Sequence, residues 1–167
     1  MKTHSLTKIS ARIDEIKNCP GYPSPERLLK GKVAVIECIQ DIPCNPCEKI
    51  CPQGAIKIGR PITNLPIFTG GLCSGCGKCI TICPGLAIFI VDYTYGPEEA
   101  TVALPYELYI LPEKNEIVDA LDREGVTVCQ GTVINVQNPE SFDRTAVITV
   151  AVPKEYGEQV RNIRLKR

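Results

Sequence analysis

Eight of the ten cysteines of this 167-residue chain fall between positions 38 and 83. Their spacing is the chemistry to explain. The downstream group reads Cys73-Ser-Gly-Cys76-Gly-Lys-Cys79-Ile-Thr-Ile-Cys83-Pro84. Three thiols two residues apart, with a fourth after three residues and before proline, form the run that places soft thiolate sulfur around an iron–sulfur cluster. Two intervening residues let successive thiolates turn inward onto one core, while the Cys before proline faces a different one. One such run therefore implies a second. Zinc and disulfides are the rival uses. A zinc ribbon has no place for a third thiol in this spacing. Disulfide frameworks belong to small secreted domains, and the opening Met1-Lys-Thr-His-Ser-Leu-Thr-Lys8 lacks the apolar core of a signal peptide.

The second run is Cys44-Asn-Pro-Cys47-Glu-Lys-Ile-Cys51-Pro52. A shift of 32 residues lays Cys44, Cys47, Cys51 and Pro52 onto Cys76, Cys79, Cys83 and Pro84, and also Ala55, Ile56 and Ile58 onto Ala87, Ile88 and Ile90. The segment is an internal duplication. Over residues 31–95 it resembles the bacterial-type two-cluster ferredoxins. The resemblance implies two [4Fe–4S] clusters, each held by three thiols of its own half and the pre-proline Cys of the other. Carried onto this chain, one cluster takes Cys38, Cys44, Cys47 and Cys83, and the other Cys73, Cys76, Cys79 and Cys51.

The halves differ at one place. Cys73 maps onto Asp41, and the extra upstream thiol is Cys38, three residues earlier. Cys38 could reach the cluster across Ile39-Gln-Asp-Ile-Pro43, read as an insertion, Asp41 could ligate through oxygen, or the site could hold three irons. Soft thiolate suits such clusters better than carboxylate, which favours Cys38. Of the two thiols outside the duplication, Cys129 sits in an apolar alternating run and reads as a small buried hydrophobe. Cys19, in Cys19-Pro-Gly21, reads as structural or as a contact to a cofactor at a subunit border.

The remaining elements must position these ligands. Ser5 can cap a helix with Leu6, Ile9, Ile13 and Ile16 on one face, ending before the Cys19–Pro25 break. Val33–Ile36 reads as a strand, and after each Cys-Pro come a turn and a strand, Ala55–Ile58 and Ala87–Asp92. Gly70, Gly71, Gly75 and Gly77 let backbone N–H groups approach sulfur; their order is not that of a nucleotide loop. From Gly96 the cysteines nearly stop and twelve acidic residues stand against eight basic ones. Alternation over Val102–Tyr109, Ile117–Leu121, Val126–Val136 and Arg144–Val152 predicts short antiparallel strands, enough for a small closed or partly closed barrel. The expected fold is α+β: a helical extension (1–30), a two-cluster core (31–95) and a β-barrel docking domain (96–167). Residues 161–167 read as a solvated end.

Nineteen basic residues balance nineteen acidic ones, and two clusters with their thiolates would add about −4. No basic, aromatic-rich face suggests nucleic acid, and no apolar run approaches the ~20 residues of a membrane span. With one histidine, His4, no base-assisted nucleophile can be assembled; no catalytic residue is expected. The split run Ile36–Cys47, the Cys-Pro-Gly stretch and the C-terminal β segment also resemble the small iron–sulfur subunits of multi-subunit flavin dehydrogenases for amino acids, the proline, hydroxyproline and opine group. That resemblance implies a non-catalytic relay subunit in a hetero-oligomer with FAD-containing dehydrogenase subunits, passing single electrons to another flavin or a soluble acceptor. It also implies a cytoplasmic protein of an anaerobic or microaerobic prokaryote. The alternative is a free-standing diffusible ferredoxin.

Overall fold

The structure is a computed structural model and describes residues 13–166. The helix expected from Ser5 therefore lies in its first part, with Leu6 and Ile9, outside the described residues. Its end is α1 (Ile13–Lys17), whose Ile16 is buried. A second short helix, α2 (Pro25–Leu28), starts where Ser24 is extended and its hydroxyl accepts from the Arg27 N–H. Proline stands at its first position, where no N–H is needed.

The cysteine-rich segment builds β1 (Val33–Ile36), α3 (Pro46–Ile50), β2 (Ile56–Lys57), β3 (Ile67–Phe68), α4 (Lys78–Thr81) and β4 (Ile88–Asp92). The duplication is visible in how these strands pair. β1 runs antiparallel to β4 with Ile36 opposite Ile88 and Val35 opposite Phe89. β2 runs antiparallel to β3 with Ile56 opposite Phe68 and Lys57 opposite Ile67. The 32-residue shift carries Ile36 onto Phe68 and Ile88 onto Ile56, so it converts one pairing into the other. The relation extends one step further: the Glu37 N–H donates to the Ala87 carbonyl and the Thr69 N–H to the Ala55 carbonyl, each at 2.8 Å. Each half thus lends its first strand to the last strand of the other.

The remaining strands are β5 (Glu99–Tyr106), β6 (Ile117–Leu121), β7 (Thr127–Gln137), β8 (Ala146–Pro153) and β9 (Asn162–Arg164). They do not stand apart from the cysteine-rich segment, as the boundary expected at residue 96 would have them. β5 pairs with β4 through Ile90–Asp92, giving one antiparallel sheet of seven strands in the order β1-β4-β5-β8-β7-β6-β9, with β1 and β9 as edges. The physical reason is β4 itself. All five of its residues are buried, so its backbone groups on the side away from β1 need a partner strand.

Alternation along the strands gives the sheet two faces. Ala34, Ile36, Ile88, Ile90 and Val147 form a core with the cysteine loops. On the opposite side, Val33, Val35 and Val91 pack with Leu28, and Phe89, Val102, Leu104, Ile148 and Val150 build the larger core with Val118, Val160 and Ile163. The expected solvated end is also corrected. Ile163 is buried in β9 and Arg161 is only 6% exposed, because Leu121, Ala120 and Asp119 of β6 offer an edge that β9 completes.

Candidate functional site

The strand exchange sorts the eight thiols into two groups. Cys73, Cys76 and Cys79, on the loop after β3 and on α4, meet Cys51 from the other half around a small recess walled by Ala34, Ile56, Phe68 and Ile90. The Cys79 thiol is pushed up to about 12, by burial first and then by the charges of Cys73, Cys76 and Cys51. The other group comprises Cys38, Cys44, Cys47 and Cys83. Burial, and then the charge of Cys83, pushes Cys47 up to about 11, with Cys44 and Cys38 adding to it. Cys38 and Cys44 are raised for the same reasons in the same order. Thiols packed this closely oppose one another's ionisation, so a cationic core between them would relieve the repulsion.

Backbone groups are aimed at the sulfurs. The Ala55 N–H donates to Cys51 Sγ at 3.3 Å and the Ala87 N–H to Cys83 Sγ at 3.4 Å, again related by the 32-residue shift. The Gly75 N–H donates to Cys73 Sγ at 3.4 Å. Such donors favour thiolate and raise the potential of a bound cluster. Gly75 has φ +68°, and a Cβ there would stand 2.4 Å from Lys32 Cβ and 2.8 Å from its carbonyl oxygen. Only glycine can make this approach.

The sequence reading missed Arg27. Its Nε donates to the Gly70 carbonyl at 2.8 Å, and its terminal nitrogens donate to the carbonyls of Gly31, Lys32 and Cys73 at 3.1, 2.9 and 2.9 Å. One guanidinium thus ties the turn before β1 to the loop that carries Cys73. An arginine in Ser24-Pro-Glu-Arg27 gives no sign of partners more than forty residues away.

At the upstream loop, Cys38 is half-buried beside Cys44 and Cys83, whereas Asp41 is exposed. The loop contains no inserted residue. Glu37 to Cys44 and Thr69 to Cys76 are equally long in the two halves; the thiol has moved three positions toward β1. Glu37, next to that thiol, fixes its position. Arg123 Nε and Arg161 Nε each donate to its carboxylate at 2.7 Å, and a terminal nitrogen of Arg123 adds a third bond. Burial raises the Glu37 carboxyl, but the Arg123 hydrogen bond and the charges of Arg161 and Arg123 outweigh it and hold it below its usual value. Of the outlying thiols, Cys19 Sγ donates to the Glu15 carbonyl at 3.3 Å and its charge acts on Cys38. Cys129 packs at the margin of the larger core, away from both groups. All ten cysteines are unpaired.

The donor set fits iron–sulfur clusters: two groups of four thiols, apolar walls, and N–H groups directed at sulfur. Among the described residues no three His, Cys, Asp or Glu side chains are placed to hold one metal ion. No described helix is long and apolar enough to cross a membrane.

No family model matches the chain, and no solved structure matches it. A 60-residue stretch is 38% identical to one of the subunits of the ion-translocating oxidoreductase complex of Methanosarcina acetivorans, covering 35% of this chain and 22% of that protein. The chain therefore spans about a fifth of the length of the curated relative it matches.

Proposed function

We propose that this chain is an electron-transfer iron–sulfur subunit of a multi-subunit oxidoreductase. One [4Fe–4S] cluster would be held by Cys38, Cys44, Cys47 and Cys83, and the second by Cys73, Cys76, Cys79 and Cys51. The observation that carries the reading is the strand exchange, which brings each pre-proline thiol to the three thiols of the other half. The partial likeness to a component of an oxidoreductase complex supports both the kind of protein and its place in an assembly.

When bound, the clusters supply reversible one-electron storage at potentials set by ligands, hydrogen bonds and solvent access. The chain's own residues set those conditions. Ala55, Ala87 and Gly75 donate to sulfur. Ile36, Ile56, Ile80 and Ile88, all fully buried, keep water from the interior side. Cys76 is exposed while Cys47 and Cys79 are buried, so the second group has a face toward solvent. Solvent access of this kind helps to set the potential of a bound cluster. No described side chain is assigned substrate chemistry; His4 lies outside the described residues.

The finer reading is that the partners are FAD-containing subunits of an amino-acid dehydrogenase, with a second flavin or a soluble acceptor downstream. It is supported by the resemblance of Ile36–Cys47 and the flanking segments to small subunits of that group. Anaerobic affinity purification from the native cell, with iron, sulfide and flavin assayed in the same fraction, tests both levels. Flavoprotein chains in fixed ratio and about eight irons per copy are expected. Elution alone with about eight irons would make the chain a diffusing ferredoxin, and about seven would return attention to Asp41 and a three-iron site.

A further inference from the structure

The sheet face that carries the thiol loops is only partly covered by them. Ile90, Ala103, Thr149 and Asn135 lie in one cross-strand row over β4, β5, β8 and β7. Beside that row stand Thr101, Val147 and Gln137 on the same face. The loop Ser74–Lys78 rises along one side and Phe142 along another, bounding a cleft of about 440 Å³. That is the size of a small-molecule site rather than of a packing defect.

Its chemistry is specific in three respects. No carboxylate lines the cleft, while Lys32 and Lys78 do; these two ammonium groups face both a ligand's anionic end and the charge of about −2 that a cluster with four thiolates carries. Hydroxyls and amides of Ser74, Thr101, Thr149, Asn135 and Gln137 alternate with the apolar surfaces of Ile80, Ile90, Val147 and Phe142, which suits a flat aromatic ligand with a hydroxylated tail. The exposed thiol of Cys76 is part of the wall, so whatever sits there is adjacent to the second group of thiols. A ligand exchanging electrons at that wall must take them one at a time. Flavins do so; nicotinamides transfer hydride.

We propose that this cleft binds a phosphate-bearing flavin of mononucleotide size, its anionic tail answered by Lys32 and Lys78 and its ring by the apolar surfaces. The site rests on the relay reading for its purpose but not for its detection. The test is an anaerobic titration of the iron- and sulfide-reconstituted chain with flavin mononucleotide, followed by loss of flavin fluorescence. Saturable quenching at one flavin per chain is expected, with riboflavin, which lacks the phosphate, at least about tenfold weaker. Lys32→Gln and Phe142→Ala should each weaken binding by about tenfold; both lie outside the cysteine runs, and iron and sulfide content checks that each variant is loaded. Absence of saturable quenching by a loaded chain, or equal affinity in wild type and both variants, overturns the assignment while leaving the relay intact. Tight flavin binding by a chain that never takes up iron would do the reverse.

Discussion

A single guanidinium holding four carbonyls is a cheap way to fix a loop that has little regular structure of its own. Gly70–Cys73 contributes only a short 3₁₀ turn, and Arg27 supplies the donors that a longer element would otherwise provide. Hydrogen bonds from a charged group contribute roughly 1.5–3 kcal/mol each when intact, with strong non-additivity, so Arg27→Ala should cost about 2 kcal/mol overall. The loss should fall on the second thiol group. Iron and sulfide analysis of the reconstituted variant should show about half the wild-type content, and Arg27→Lys should rescue little because an ammonium lacks the planar fork. Full iron content in Arg27→Ala would remove the residue from any role at the site. Gly75→Ala is the sharper probe. The added methyl meets Lys32 backbone at a backbone angle unfavourable to L residues, and the expected result is loss of the cluster bound through Cys73 and Cys76, read as a fall in charge-transfer absorbance. The cysteines were legible in the sequence because their spacing is local. Arg27 was not, because its partners become neighbours only after the sheet forms.

At the scale of elements, the exchange of strands between halves explains why the pre-proline thiols cross over, and Glu37 shows how the crossing is braced. Glu37 stands between β1 and Cys38; its N–H reaches Ala87, whose own N–H donates to Cys83. Its carboxylate is clasped by arginines from the β6–β7 turn and from the segment before β9. Arg161 also donates to the carbonyls of Gly157 and Val160 and lies 4.9 Å from the Phe89 ring centroid. Breaking one partner of a buried ion pair costs roughly 3–5 kcal/mol, and Arg123 remains to cover part of the charge. Arg161→Ala should therefore destabilise the protein by about 3 kcal/mol, measured by thermal unfolding of the loaded protein under anaerobic conditions. A shift within error would mean that Arg123 alone satisfies Glu37. Strands β1, β4, β6, β7 and β8 were readable from β-branched residues in buried or alternating runs. β3 and β9 were not: two or three residues carry no period, and Arg161, Arg164 and Lys166 make the last strand look like a solvated tail.

At the scale of the whole molecule, the division into a ferredoxin-like core and a docking domain was drawn at a change of composition, where the cysteines end and alternation begins. The sheet crosses that line without a break. Ile90, Val91 and Asp92 lie opposite Ala103, Val102 and Thr101 in the ladder, and Val147 of β8 belongs to the same core as Cys47 and Cys79. A chain cut after residue 95 would leave the inner edge of β4 unpaired, uncover Phe89, and strip Glu37 of both arginines. The last of these alone approaches the roughly 3–5 kcal/mol of a broken buried pair, against a typical total stability of roughly 5–15 kcal/mol. Residues 1–95 are accordingly expected to remain unfolded and to bind less than the full iron complement after reconstitution, as seen by circular dichroism together with iron and sulfide content. A fragment that folds and takes about eight irons would show that the cysteine-rich half is self-sufficient and that the common sheet joins two separable units. If the expected result holds, deleting the C-terminal strands cannot be used to map partner binding, because loss of assembly would follow from loss of the fold; that question has to be put with surface substitutions that leave iron content unchanged.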